Sequence, residues 1–183
     1  MTAKCSVFVG ASLDGFIARA DGSIDWLHQN QAAVPPGEDF GFARFMATVD
    51  AMVMGRNTFE QVLTFDEWPY GSTPVVVMSR TLSALPPGAP ATVSLSGEAP
   101  AGLVARLSAG GARRLYIDGG CTIQSFLVAG LIDELTVTVL PILIGAGRPL
   151  FGPLPADVHL THAGTQVYDC GFVQLKYRVQ RPQ

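Results

Sequence analysis

Short apolar runs mark several segments of the chain as buried β-strands. They read V-F-V-G-A over 7–11, A-M-V-M over 51–54, P-V-V-V-M over 74–78 and R-R-L-Y-I-D over 113–118. Runs that lack polar alternation are typical of parallel strands, because helices cover both faces of such sheets. The pattern therefore predicts a parallel sheet at the centre of the protein.

Helical spacing of apolar residues lies between these runs. A helix is predicted from Glu38 or Asp39 to Asp50, with Phe42 and Phe45 among the residues of its apolar face. N-T-F-E-Q-V predicts a second helix with Asn57 as its N-cap. Two more are predicted, one around 99–108 and one from 122 to near 130. Helices between parallel strands indicate βα units.

The last third of the chain has a different pattern. After Glu134, the segments L-T-V-T-V-L, V-H-L-T-H-A-G-T-Q-V-Y and F-V-Q-L-K-Y-R-V alternate as antiparallel strands do. We predict loops over 12–18, over 21–37 as a functional surface loop, and over 81–100 as a surface wrap. The predicted class is α/β, with a mixed, mostly parallel sheet and a C-terminal antiparallel hairpin.

Composition narrows the kind of protein. The 183 residues suit one domain, 1–183, and the 48% hydrophobic and 15% charged content is that of a globular chain. A net charge of -3 predicts neither a nucleic-acid nor a membrane partner. No span is apolar enough for a bilayer, and three scattered cysteines with no metal signature favour a cytoplasmic protein without metal.

Turn signals recur where the predicted strands end. They read A-S-L-D-G at 11–15, M-G-R-N-T at 54–58, M-S-R-T at 78–81 and D-G-G-C-T at 118–122. Any one of them could be a plain βα turn, but together they mark one edge of the sheet, where open α/β proteins bind ligands. Arg56 and Arg80 are cations suited to phosphate, while Ser79 and Thr58 add hydroxyl donors. A G-x-G-x-x-G loop after the first strand is missing, which argues against a Rossmann domain.

The motifs V-M-G-R-N-T-F, V-V-V-M-S-R and Y-I-D-G-G-C-T-I-Q-S-F-L, in this order, resemble the cofactor loops of the dihydrofolate reductase-like superfamily. P-I-L-I-G-A-G-R-P-L-F at 141–151 is similar to the reductase domain of the bacterial riboflavin-biosynthesis deaminase-reductase and its stand-alone relatives. The resemblance covers residues 7–179. It implies a three-layer fold with helices on both faces of the sheet, and NADPH as cofactor.

The resemblance also implies residue roles at the matching positions. The 2'-phosphate of NADPH would contact Arg56 and the Ser79–Arg80 turn, and the segment from Leu13 to Ala18 would lie along the nicotinamide. The full set of implied cofactor-binding residues is Ala11, Ala18, Gly55, Arg56, Thr58, Ser79, Arg80, Gly119, Gly120, Cys121, Thr122 and Ile123.

By the same resemblance, a carboxylate at the start of the first long helix works with a buried threonine to protonate the substrate. The matching residues are Asp39 and Thr138, so these are the implied catalytic pair. A carboxylate in such a cleft can act as a general acid. Asp39 could equally cap its helix, and Glu38 and Asp25 are rival acids.

One departure from the family pattern concerns the substrate. Folate-reducing members carry an arginine six residues before the cofactor serine, and Thr73 occupies that position here. A neutral hydroxyl cannot replace a bidentate ion pair, so dihydrofolate is a doubtful substrate. The chain also lacks the H-x-E and P-C-x-x-C signature of a zinc deaminase.

The expected activity is therefore NADPH-dependent reduction of a pyrimidine- or pterin-like small molecule. By resemblance, the nearest named reaction is that of 5-amino-6-(5-phosphoribosylamino)uracil reductase in riboflavin biosynthesis. The alternatives are a dihydrofolate reductase, a reductase of other small imines, and a nucleotide-binding module without turnover. A homodimer is expected, because the resembling reductases commonly dimerise and the late strands offer an alternating apolar face.

Overall fold

The computed structural model describes residues 1–180 and contains one large sheet with helices on both faces. The strands are β1 (Lys4–Ser12), β2 (Phe16–Ala18), β3 (Ala51–Gly55), β4 (Val75–Met78), β5 (Val93–Ser96), β6 (Arg114–Asp118), β7 (Ile132–Leu140), β8 (Arg148–Pro149), β9 (Leu160–Val167) and β10 (Val173–Val179). The helices are α1 (Asp25–Gln31), α2 (Phe42–Met46), α3 (Arg56–Val62), α4 (Pro100–Ala109) and α5 (Gly120–Val128).

The large sheet has the strand order β5-β4-β3-β6-β1-β7-β10-β9, and β2 pairs with β8 in a separate two-stranded ribbon. Neighbouring strands from β5 to β7 are parallel, whereas β10 is antiparallel to both β7 and β9. The mixed, mostly parallel sheet and the C-terminal antiparallel hairpin are confirmed.

Two apolar layers follow from the alternation of side chains along β3. Val53 packs with Leu115 and Phe126 on the face that α4 and α5 cover. Met52 and Met54 point to the other face and pack with Phe59 of α3 and the aromatic residues of α2. All three β3 side chains are fully buried, which explains why this run has no polar positions.

Three predicted loops contain regular structure. The segment 21–37 includes α1, because Trp26 is fully buried against Leu140 and Phe172. The segment 81–100 includes β5, a parallel strand at the edge of the sheet beside β4. The predicted loop over 12–18 includes β2. The prediction of a loop was wrong for the parts of these segments that form α1, β5 and β2.

Two helices do not begin at the predicted residues: α2 begins later than predicted, and α3 begins earlier. α2 starts at Phe42 rather than at residue 38 or 39, because Phe40 and Gly41 have left-handed φ angles of 58° and 81° and break the helix before it. It ends at Met46, and the Asp50 carboxylate instead accepts hydrogen bonds from the backbone N–H groups of Arg113 and Arg114. α3 starts at Arg56 with Gly55 as N-cap, so Asn57 lies in its first turn and is not the cap.

Candidate active site

A cleft of about 1470 Å³ runs along the carboxyl edge of the parallel strands. The ends of β3, β4, β5 and β6 lie along it, together with the first residues of α3 and α5. The ribbon of β2 and β8 closes one side. Strand order reverses at β1, since β6 and β7 lie on either side of it, and such switch points are the usual ligand sites of open α/β sheets.

Most of the cofactor residues implied by the sequence line this cleft. These residues are Ala18, Gly55, Arg56, Thr58, Ser79, Arg80, Gly119, Gly120, Cys121 and Thr122. The other two, Ala11 and Ile123, are buried in the apolar core with exposed fractions of 2% and 0%. The structure thus brings three of the four turn motifs together along one cleft, and the fourth, at 11–15, leads into β2.

Two loops of the cleft interlock through glycine and threonine. A Cβ on Gly119, whose φ is +87°, would overlap the hydroxyl oxygen of Thr58. A Cβ on Gly55 would lie 2.9 Å from the hydroxyl oxygen of Thr122, so each loop places a threonine against a glycine of the other. Side chains at the two glycine positions would push these loops apart. The glycines therefore position both hydroxyl groups at the cleft.

The donor groups of the cleft suit an anionic cofactor. Ile123 donates the first backbone hydrogen bond of α5, to the carbonyl oxygen of Gly119, and the N–H groups before it in a helix lack intrahelical partners. Such helix N-termini bind phosphate groups well. With the hydroxyls of Thr58 and Thr122 and the guanidinium groups of Arg56 and Arg80, the residues fit a dinucleotide.

The Ser79–Arg80 turn is held by strand β5. Ser79 N donates to the carbonyl oxygen of Ser96 at 3.0 Å, and the Ser79 hydroxyl oxygen accepts hydrogen bonds from the backbone N–H groups of Thr81 and Leu82. Arg80 is exposed at the cleft. These hydrogen bonds hold the turn from which Arg80 leaves the backbone.

Asp39 is exposed and lies in the turn three residues before α2 begins. Its carboxylate accepts hydrogen bonds from the backbone N–H groups of Ala43 and Gly41, both at 2.8 Å, and these bonds lower its pKa. A lowered pKa disfavours the protonated form that a general acid needs. Among the rival acids, Asp25 pairs with Arg19, which lowers its pKa to about 2. Neither aspartate position favours proton donation.

Thr138 is buried and lies near the Asp39 segment without contacting its side chain. Its hydroxyl oxygen accepts a hydrogen bond from Gln174 Nε2 at 3.1 Å, and the same Nε2 donates to the carbonyl oxygen of Phe40 at 3.0 Å. The Phe40 ring stacks on Phe172 at 5.2 Å between centroids. Gln174 therefore ties Thr138 to the turn that contains Asp39, but neither Asp39 nor Thr138 is among the residues that line the cleft.

The cleft lining includes Asp118, at the end of β6, and three exposed acids, Asp21, Glu60 and Glu98. Burial raises the pKa of Asp118 to about 6, against the opposing effects of the Gly119 backbone N–H and the Tyr116 hydroxyl. Tyr116 and Tyr70, both buried, line the same part of the cleft, and the Tyr116 hydroxyl donates to the carbonyl oxygen of Phe8 at 2.8 Å. A carboxyl group in these surroundings keeps its proton to a higher pH than an exposed aspartate does.

Asp118 was missed as a candidate acid because D-G-G-C-T was interpreted only through its glycines. The signal was present in R-R-L-Y-I-D, where side chains alternate between faces. Asp118 must share a face with Tyr116 and is the one acid that ends a buried strand at the ligand edge. A search for charged residues at strand ends would have found it.

No group of three or more His, Cys, Asp or Glu side chains in residues 1–180 could hold a metal ion. No helix in the same range is long and apolar enough to cross a membrane.

Comparison with known proteins identifies the family. Residues 3–174 match the family model described as RibD C-terminal domain. Uncharacterized protein YwjB of Bacillus subtilis is 33% identical over 184 residues, which is 97% of this chain and 98% of YwjB.

Solved structures agree in fold. A Shewanella sp. PV-4 protein provisionally assigned to riboflavin biosynthesis has a TM-score of 0.90 and 42% identity, covering 99% of this chain and 100% of that chain. A Thermotoga maritima protein, a diaminohydroxyphosphoribosylaminopyrimidine deaminase/5-amino-6-(5-phosphoribosylamino)uracil reductase, has a TM-score of 0.72 and 15% identity. That match covers 98% of this chain and 57% of the Thermotoga chain, and at this identity it shows the fold alone.

Proposed function

The chain belongs to the RibD C-terminal domain family, and we propose that it is an NADPH-dependent reductase of a pyrimidine-like compound in riboflavin biosynthesis. The observation that carries the proposal is the cleft at the switch point of the sheet. Its donors suit a dinucleotide phosphate, and Asp118, a carboxyl group with a raised pKa, lies in the same cleft. The preferred substrate is 5-amino-6-(5-phosphoribosylamino)uracil.

The proposed roles follow from the positions of the side chains. Arg56 and Arg80 bind the 2'-phosphate, while Thr58, Thr122 and the first turn of α5 bind the pyrophosphate. NADPH, when bound, supplies a hydride from C4 of its nicotinamide. The aromatic walls formed by Tyr70 and Tyr116 exclude water from the substrate end of the cleft.

Two carboxyl groups are candidates for supplying the proton. Asp118 lines the cleft and has a raised pKa, whereas Asp39 has a lowered pKa and engages the backbone of α2. We therefore propose Asp118 as the group that holds and donates the proton. Asp39 and Thr138, the pair implied by resemblance, are retained as a second proposal that acts through the Phe40–Gln174 contact.

The experiment that tests the function combines binding and turnover. Purified protein should bind NADPH more tightly than NADH, and Arg80→Ala should weaken NADPH roughly tenfold or more while changing NADH little, as expected when a charge-assisted phosphate contact is lost. Isothermal titration calorimetry measures both. Arg113→Ala is the matched control, since Arg113 is exposed and is not part of the cleft lining.

Turnover distinguishes the alternatives. Oxidation of NADPH should be faster with 5-amino-6-(5-phosphoribosylamino)uracil than with dihydrofolate, because Thr73 cannot form an ion pair with a folate carboxylate. A preference for dihydrofolate would support the alternative that the protein is a dihydrofolate reductase. Tight NADPH binding without turnover of either compound would favour a nucleotide-binding module.

We also propose a homodimer in which the outer strands of the sheet take part. β9 is an edge strand whose side chains are largely exposed, and Leu160 and Val167 have exposed fractions of 40% and 66%. Exposed edges with apolar side chains are unfavourable for a lone protein and are commonly covered by a partner. A second copy would bury this strand.

A further inference from the structure

A cation in the P-I-L-I-G-A-G-R-P-L-F segment at 141–151, to which the sequence assigned no role, lines the cleft from the ribbon side. Arg148 of β8 pairs directly with Ala18 of β2, and Pro149 pairs with Phe16. The ribbon is fixed against α5, because Gln124 Nε2 donates to the carbonyl oxygen of Pro149 at 2.9 Å. Arg148 is therefore one residue from the contact between the ribbon and the helix whose N-terminus faces the cleft.

The ribbon is also tied to β1. Asp14 Oδ2 accepts a hydrogen bond from Gly145 N at 2.7 Å, and Asp14 Oδ1 accepts one from the Ser12 hydroxyl at 2.6 Å. Leu150 N donates to the carbonyl oxygen of Gly15 at 2.9 Å. These contacts hold both ends of the ribbon, so the backbone of Arg148 has a defined position.

The guanidinium group of Arg148 rests on the loop before α1. Its Nε donates to the carbonyl oxygen of Ala20 at 3.4 Å, and its Cζ lies 3.1 Å from where a Cβ on Gly22 would be. Within residues 1–180, carboxylates form ion pairs with four other arginines but not with Arg148. Its terminal N–H groups are available to a ligand.

Arg148 lies apart from Arg80, one of the two arginines assigned to the 2'-phosphate. Arg80 follows β4, whereas the ribbon follows β1, and these strands are three places apart in the sheet. At the usual strand spacing this is roughly 14 Å, several times the width of a phosphate group. We therefore expect Arg148 to contact a different anionic group from the one that Arg80 contacts.

We propose that Arg148 binds a second phosphate group in the cleft, next to the N-terminal turn of α5. This inference rests on the proposed function for the identity of the ligand. Two sources carry the same chemistry: the pyrophosphate of the dinucleotide and the phosphate of a phosphorylated pyrimidine substrate. A planar guanidinium with free N–H groups binds either one in a bidentate manner.

The test measures binding before turnover. Arg148→Gln should weaken NADPH or inorganic pyrophosphate roughly tenfold in calorimetry if the dinucleotide is the source, as expected for a lost charge-assisted hydrogen bond. If the substrate is the source, NADPH affinity is unchanged, and KM rises for the phosphorylated pyrimidine but not for its dephosphorylated form.

Three controls sharpen the result. Arg148→Lys should recover part of the affinity, and the loss in Arg148→Gln should shrink at high salt, because the contact is electrostatic. Arg113→Gln removes an exposed arginine outside the cleft lining and should leave binding unchanged.

Two outcomes distinguish a failure of the Arg148 proposal from a failure of the proposed function. If wild-type protein binds NADPH and neither binding nor KM changes in Arg148→Gln, the Arg148 inference is wrong and the proposed function stands. If wild-type protein does not bind NADPH, the proposed cofactor is wrong, and inorganic pyrophosphate alone then decides the role of Arg148. Equal binding of pyrophosphate by wild type and Arg148→Gln, or no binding by either, would overturn it.

Discussion

Asp118 and Asp39 show how the surroundings of a carboxylate decide its chemistry. Asp39 accepts backbone hydrogen bonds at the start of a helix, which favours its ionised form. Asp118 lies between tyrosines at the end of a buried strand, where burial outweighs its hydrogen bonds and the neutral form is favoured. Family resemblance points to the first residue, and electrostatics points to the second.

Stability should depend on pH through Asp118. Its folded pKa of about 6 lies above the ordinary value of 3.8, so its stabilising contribution is full below pH 3.8 and is lost as pH rises through 6. We expect the Tm of wild type relative to Asp118→Asn to fall between pH 4 and pH 7. Differential scanning fluorimetry across this range measures it.

The comparison with the variant is necessary because other carboxylates act in the opposite direction. Asp25 and Asp50 have lowered pKa values, so their contributions are lost as pH falls, but they are the same in both proteins. A Tm difference that does not change with pH would contradict the assignment. If Asp118 is also the proton donor, the turnover of wild type should decline above pH 6 and that of Asp118→Asn should be low throughout.

At the scale of elements, the contact between the β3–α3 loop and the β6–α5 loop contributes to packing, and the same loops form part of the proposed ligand site. Thr58 contacts Gly119 and Thr122 contacts Gly55 across the two loops. Each threonine places its hydroxyl oxygen against a glycine of the other loop, and both threonines line the cleft. Packing and donor position therefore depend on the same four residues.

Gly119→Ala tests the interlock. A side chain at the backbone conformation of Gly119, with φ +87° and ψ 135°, costs about 1–3 kcal/mol. Overlap with Thr58 should add about 1–3 kcal/mol to the loss in the free energy of unfolding. Urea denaturation measures the loss. Gly111→Ala is the matched control, because its φ of +97° is similar but nothing lies within 4 Å of the added Cβ.

Equal losses in Gly119→Ala and Gly111→Ala would show that the overlap with Thr58 contributes nothing. A further variant, Gly119→Ala with Thr58→Ser, should recover part of the difference, since the shorter side chain can turn away from the added methyl group. NADPH affinity should fall in Gly119→Ala and be unchanged in Gly111→Ala.

The sequence predicted the central strands well and the peripheral elements poorly, and the difference has a physical cause. β3 and β4 are buried on both faces, so their apolar runs are long and unambiguous. β5 lies at an edge with Ser94 exposed, and α1 has one fully buried side chain, Trp26, so neither has a strong periodic pattern. β8 has two residues and is formed by pairing with β2 alone.

The candidate site was predictable only in part. Residues that follow buried strands, such as Arg56 and Arg80, could be placed along one edge because parallel strands end together. Arg148 lies on the ribbon, whose pairing has no local signal in the sequence. Its position depends on contacts with residues more than 100 positions away, such as Ala20.

At the scale of the whole molecule, β9 sets the expected assembly. Val167→Asp and Leu160→Asp together should convert a dimer to a monomer, because two charges would have to be buried at the interface. Light scattering coupled to size-exclusion chromatography measures the mass. A wild-type mass of 19.4 kDa would contradict the proposed dimer.

The variant separates assembly from folding, since both side chains are exposed in the single chain. Its Tm at low protein concentration should be close to that of the wild type. A large loss of stability in the monomeric range would instead show that the strand needs these side chains for its own pairing with β10.

The contacts that hold the ribbon of β2 and β8 also bear on the kinetics of ligand binding. Asp14 and Gln124 anchor it at opposite ends before any ligand arrives. The conformational entropy of ordering this wall of the cleft is therefore lost during folding and does not reduce affinity. Because the ribbon side of the cleft is already ordered before a ligand binds, the association rate should be governed by diffusion and charge. A slow closing motion of the ribbon is not needed.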